Sequence, residues 1–164
     1  TFLSIIAVFT VVIPLISLLI MREIKIISSI YLDEKSERIF PLIVIMISFF
    51  SLYQLLKQQI PFIHIFNTIP LILTTITIIT TIITYFYKIS LHSIGIGGLT
   101  GILLSFYYVM KTDSIKSIIF IIIIGGVIMS ARLILNKHTF SQTIIGYITG
   151  LSLAAIINLY MLGS

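Results

Sequence analysis

Apolar residues run along this chain in long blocks separated by short polar breaks, without period-two alternation. A hydrocarbon core about 30 Å thick takes about 20 residues of helix to cross. Windows of that length predict six helical spans, over residues 2–21, 41–59, 68–87, 93–110, 115–132 and 140–162. The Ile- and Thr-rich stretch 74–84 has the residue types of a strand, but a lone strand in lipid leaves its backbone groups unsatisfied, so helix is expected there too. An outer-membrane barrel would alternate apolar and polar positions, and these blocks do not. The expected fold class is therefore all-α, a polytopic membrane bundle of six transmembrane helices forming one integral membrane domain over residues 1–164.

The breaks fit these spans. Pro41 suits a first helical turn, where its missing N–H costs little. Gln58 to Pro61 and Asn67 to Pro70 are expected to bracket a turn between the second and third spans. Asp113 or Ser114 is the expected N-cap of the fifth span, and Thr139 or Ser141 that of the sixth. The one long connection, residues 22–40, is expected to hold an interfacial amphipathic stretch over Ile24 to Ile30 and a solvated, charged end over Leu32 to Arg38. The first span lacks the short apolar core and small-residue cleavage site of a signal peptide, so it is expected to be retained. The sequence opens at Thr1 rather than Met, which is expected of a removed initiator or of a fragment.

Composition agrees with the pattern. Of 164 residues, 59% are hydrophobic and 9% charged, with a mean hydropathy of +1.23. A water-soluble domain this size has too little polar surface to cover so much Ile, Leu and Phe. With no Cys, disulfides, thiolate metal sites and a cysteine nucleophile are excluded. The net charge of +5 lies in the connections, as bilayer orientation and anionic headgroups require, so membrane lipids and not nucleic acid are the expected partners. The expected location is a multi-pass position in a bilayer, with a bacterial inner membrane as the specific assignment.

Counting crossings places the connections on alternate sides of the bilayer. Arg38, Ser90, His92, Arg132 and His138 are expected on one side, reached on three separate visits, and His64 on the other. Arginine matches phosphate oxygens in bidentate fashion and stays charged. One imidazole can attack phosphorus while another protonates the leaving oxygen, with no need for a metal. A metal site would favour carboxylates beside the imidazoles, and on that side these occur only as Glu23, Asp33, Glu34 and Glu37, all in the long connection. Phosphate is the better match, and no metal or other cofactor is expected.

These residues resemble the type-2 phosphatidic acid phosphatases, membrane relatives of the vanadium haloperoxidases. That family carries Lys-x6-Arg-Pro, Pro-Ser-Gly-His and Ser-Arg-x5-His-x3-Asp, in that order. Here Arg132 and His138 keep the Arg-x5-His spacing, Ser90-Leu91-His92 stands at the second motif, and Arg38 at the first, with Pro41 shifted by two positions. The resemblance implies that His138 is the nucleophile that becomes phosphohistidine and His92 the general acid. It also implies that Arg38, Ser90 and Arg132 bind the substrate phosphate. The departures are as definite: Gln142 stands for the third motif's Asp, Ala131 for its Ser, Ile89 and Leu91 for the second motif's Pro and Gly, and Tyr31 for the first motif's Lys. Gln142 can orient the imidazole but brings no charge to stabilise its cation.

Two readings stay open. One is a phosphatase acting on a lipid-linked phosphate or pyrophosphate; the other is a catalytically weak or silent relative serving as a lipid-binding or structural subunit of a membrane complex. Transport has little to support it, since no Asp, Glu, Lys or Arg falls in the middle of a span. Taken singly, Lys88, Arg132 and Lys137 read as interfacial anchors, the glycines at 95, 97, 98 and 101 as helix-packing residues, and Tyr85 to Tyr87 as an aromatic belt. Basic residues favour the side carrying Arg132 by seven to three, and by five to three without Arg38 and Arg132, too even to fix orientation.

Overall fold

The computed structural model of the protein describes residues 2–32, 34–59, 64–111 and 114–163. Six helices are long and apolar enough to cross a bilayer: Leu3–Glu23, Ser36–Gln59, Asn67–Phe86, Leu91–Met110, Ile115–Ile134 and Phe140–Leu162. No strand occurs among the described residues. The expected all-α, six-span architecture of a multi-pass membrane protein is observed, and the chain divides into two compact units, residues 1–87 and 88–164.

In the first unit, the opening span is α1 (Phe2–Ala7), a π-helical segment (Val8–Val12) and α2 (Ile13–Glu23). The wider π turn precedes Pro14, whose ring an uninterrupted α-helical ladder would reject. Ser48 of α3 (Ile39–Gln59) donates its hydroxyl to the Phe9 carbonyl within the π segment, at 2.6 Å. That bond ties the first span to α3 at a point where the helical ladder is disturbed.

The connection after α2 departs from expectation. Ile24 to Ile30 forms no helix. Instead α2 closes in a Schellman motif, with Lys25 left-handed (φ 61°). There the Lys25 N–H donates to the Arg22 carbonyl and the Ile26 N–H to that of Met21. Ile27 is then buried, 2% exposed, while Ile24, Ile26 and Ile30 stay exposed. Arg38, expected in solvent, is also buried. It ends a 3₁₀ turn (Ser36–Arg38), is 3% exposed, and donates its Nε–H to the Leu32 carbonyl at 2.8 Å.

α3 packs against α4 (His64–Phe86). Leu52 and Leu56 on α3, and Ile72 and Ile76 on α4, are each one turn apart and buried. Asn67 to Pro70, expected to flank a turn, lies within a helix that begins earlier than expected, with Pro70 inside α4. On the other flank, Gln58 and Gln59 end α3, and Ile60 and Pro61 lie outside the described residues. Thr74, Thr75, Thr77 and Thr81 return their hydroxyls to carbonyls four residues back, which hides polar groups that lipid cannot solvate.

The second unit holds α5 (Leu91–Met110), α6 (Ile115–Ile134) and α7 (Phe140–Gly163). Ser114 takes the N-cap position of α6; Asp113 lies outside the described residues. α5 and α7 run parallel and nearly touch. A Cβ on Gly97 would land on the Tyr147 carbonyl, one on Gly101 on that of Leu151, and one on Gly150 on that of Ile94. Small residues four apart on both helices, ending at Ala154, allow this approach, the usual device for joining helices in lipid. Two side-chain bonds cross the same seam: Tyr147 Oη donates to Thr100 Oγ1 at 3.2 Å, and Asn158 Nδ2 to Ser105 Oγ at 2.6 Å.

Candidate functional site

The candidate residues of the second unit, Ser90, His92, Arg132 and His138, lie at the start of α5, the end of α6 and the start of α7. The Arg-x5-His spacing is the length of chain that turns α6 into α7. α6 ends in a Schellman motif, with Asn136 left-handed (φ 53°), its N–H donated to the Leu133 carbonyl and the Lys137 N–H to that of Arg132. Arg132 is therefore in the last helical turn, and His138 follows the reversal immediately.

Thr139 and Gln142 then open α7 as a capping box. The Gln142 N–H donates to Thr139 Oγ1 at 3.4 Å, and the Thr139 N–H donates to Gln142 Oε1 at 3.2 Å. The second bond orients the amide, because only its oxygen can accept from a backbone N–H. That oxygen also lies 2.9 Å from His138 Nδ1. Nδ1 must then carry the proton and donate it, which puts the neutral ring's lone pair on Nε2. His138 is 8% exposed, so its ring is held by packing as well as by this bond. A neutral imidazole with its proton fixed on Nδ1 is the form a histidine nucleophile needs.

Arg132 is half-buried at the end of α6. Its Nε is buried and has no hydrogen-bond partner in the protein. A guanidinium N–H kept from water without an acceptor is costly, and an anion is its natural complement.

Ser90 is fully buried and caps α5, its Oγ accepting from the Ser93 N–H at 3.4 Å and from the Ser93 hydroxyl at 2.9 Å. The Ser90 N–H donates to the Gln142 carbonyl at 3.3 Å, which fastens the start of α5 to the first turn of α7. Gly146 permits this, since a Cβ there would sit 2.9 Å from the Ser90 carbonyl oxygen. His92, in the first turn of α5, is exposed.

The structure thus brings Ser90, His138 and Gln142 into one hydrogen-bonded assembly, with Arg132 one Schellman turn before His138. His92 shares their end of the unit but lies on its surface, and Arg38 belongs to the first unit, where it is bound to Leu32. Thr139 and Ser93 complete the assembly without having been singled out as part of it. The signal for Thr139 was present as Thr-x-x-Gln ahead of an apolar run. No cluster of three or more metal-ligating side chains occurs among the described residues.

Comparison with protein-family models, curated proteins and solved structures gives no match to this chain.

Proposed function

We propose that the protein is a membrane phosphohydrolase acting on a lipid-linked phosphate or pyrophosphate, with His138 as nucleophile. The observation that carries this reading is the chain Thr139 N–H to Gln142 Oε1 to His138 Nδ1, which sets the lone pair on Nε2 close in sequence to the unpartnered guanidinium N–H of Arg132. In the first step Nε2 bonds to phosphorus and the bond from phosphorus to the lipid or phosphate oxygen breaks. His92 gives that oxygen a proton, and the phosphoryl group rests on His138. In the second step water attacks phosphorus while His92 takes up its proton; the N–P bond breaks and inorganic phosphate leaves. Arg132 holds the charge that builds on the phosphoryl oxygens. Ser90 holds the start of α5 to α7. A bacterial inner membrane is the proposed location, which makes polyprenyl pyrophosphate a substrate to test beside phosphatidic acid.

The test is phosphate release by detergent-purified protein from phosphatidic acid, phosphatidylglycerol phosphate and undecaprenyl pyrophosphate. Release that disappears in His138→Ala supports the reading; release that survives in it, or none from wild type on any of the three, overturns it.

One observation favours a second reading, a non-catalytic lipid-phosphate binding or structural subunit. Gln142 is fully accounted for as the reciprocal member of a helix cap, a role that needs no chemistry from His138. Under that reading Arg132 still takes a phosphate, and wild type and His138→Ala bind phosphatidic acid equally without turning it over.

A further inference from the structure

In the first unit, two shallow depressions of about 280 and 380 Å³ lie side by side between the start of α3 and the end of α4, sharing Ile39 and Tyr85 in their walls. Their linings differ in polarity. The 380 Å³ depression has Lys35, Ser36 and Thr84 around it. The other is lined by Thr81, Ile82 and Phe86 and is almost wholly apolar. Phe40, Ile82, Tyr85 and Phe86 along this groove are all exposed, the last three at 55%, 69% and 75%.

Thr84 is the informative residue. Thr74, Thr75, Thr77 and Thr81 each satisfy their hydroxyl on a carbonyl four residues back. Thr80 and Thr84, one turn apart, do not, although both are buried and their Oγ1 atoms have no partner. A hydroxyl kept from water and left unpaired is a binding group without its ligand. At the groove's rim Lys35 donates from Nζ to the Tyr85 carbonyl at 3.4 Å, one bond for an ammonium that carries three donors. The neighbouring carboxylate of Glu37 is engaged elsewhere, accepting from the Ser28 N–H and hydroxyl at 2.8 and 3.2 Å.

A cation and a hydroxyl around one depression, with an apolar depression beside it, complement an amphiphile with an anionic head. We propose that this groove binds one anionic phospholipid, its phosphate between Lys35 and Thr84 and the upper part of an acyl chain along Ile39 and Ile82. The site belongs wholly to the first unit and does not depend on the phosphohydrolase reading of the second.

The test measures retention of dioleoylphosphatidylglycerol and dioleoylphosphatidylcholine by the delipidated full chain, using native mass spectrometry from detergent. One phosphatidylglycerol is expected to stay bound at concentrations where phosphatidylcholine is lost. Lys35→Ala should weaken its binding about fivefold, as one cation near a headgroup is worth, and Thr84→Val about tenfold for a lost bond to a charged group. Ile82→Trp should fill the apolar depression and exclude both lipids. His138→Ala should bind as wild type does, which separates this outcome from any result on hydrolysis. Equal retention of the two lipids, or undiminished phosphatidylglycerol binding by both Lys35→Ala and Thr84→Val, would overturn the proposal.

Discussion

Gln142 serves two structures with one oxygen, accepting from the backbone of Thr139 and from the ring of His138. Its substitutions therefore separate stability from chemistry. Gln142→Ala should cost about 1 kcal/mol through the lost cap and release the His138 tautomer, so phosphate release falls further than thermal stability alone explains. Gln142→Glu keeps both bonds and adds the charge that an imidazolium needs, so its release should rise about tenfold or more over wild type. A Gln142→Glu protein as stable as wild type but no faster would show that the interaction orients His138 without serving catalysis. Much of this site could be read from the chain, because the Arg132–His138 spacing and the Thr-x-x-Gln cap are local patterns, set by one helix end and the next helix start. The burial of Arg38 and the exposure of His92 could not. Both polar residues stand beside apolar spans in sequence, and only the fold-back at Lys25 and the position of His92 on the surface of α5 tell them apart.

At the scale of the element, span positions follow from hydropathy, because lipid requires each crossing to be long, apolar and helical. Which helices pair does not follow, since apolar residues occur all round these helices and their few polar side chains do not name a partner. The glycines carried part of the answer: Gly97 and Gly101 do form the α5–α7 seam, while Gly95 and Gly126 meet nothing within 4 Å. Gly146 and Gly150 on α7 are the complementary half, and only the three-dimensional pairing gives them meaning. Gly150→Ala should destabilise the second unit by about 1–3 kcal/mol, the cost of overpacking a closed contact. Gly126→Ala should be neutral or stabilising by up to about 1 kcal/mol. Gly146→Ala is more selective, because its Cβ would press on the Ser90 carbonyl and lengthen the bond from Ser90 to Gln142. Thermal unfolding in detergent ranks the three, and phosphate release is expected to fall most for Gly146→Ala relative to its loss of stability. Equal effects of Gly126→Ala and Gly150→Ala would mean that the seam is not closed as described.

For the whole molecule, the chain carries no Cys, so single cysteines can report each connection against a silent background. Six spans put successive connections on alternate faces of the bilayer. Glu34, after the first span, and Leu135, after the fifth, are separated by four crossings and are both exposed. Lys57 and Lys116, also exposed, lie at the ends of spans on the opposite count. In oriented vesicles a membrane-impermeant maleimide should therefore label Glu34→Cys and Leu135→Cys from one side and Lys57→Cys and Lys116→Cys from the other. The basic residues are too evenly divided to say which side faces the cytoplasm, so this experiment also supplies the orientation that the charge distribution withholds. Its outcome limits the chemistry as well. A phosphohydrolase whose Arg132 and His138 face outward meets lipid phosphates released during assembly outside the cell, whereas one facing inward meets those of biosynthesis. Labelling of Leu135→Cys and Lys116→Cys from the same side would mean that α6 does not cross, and the end of the second unit that gathers Ser90, Arg132 and His138 could not then lie at a single membrane face.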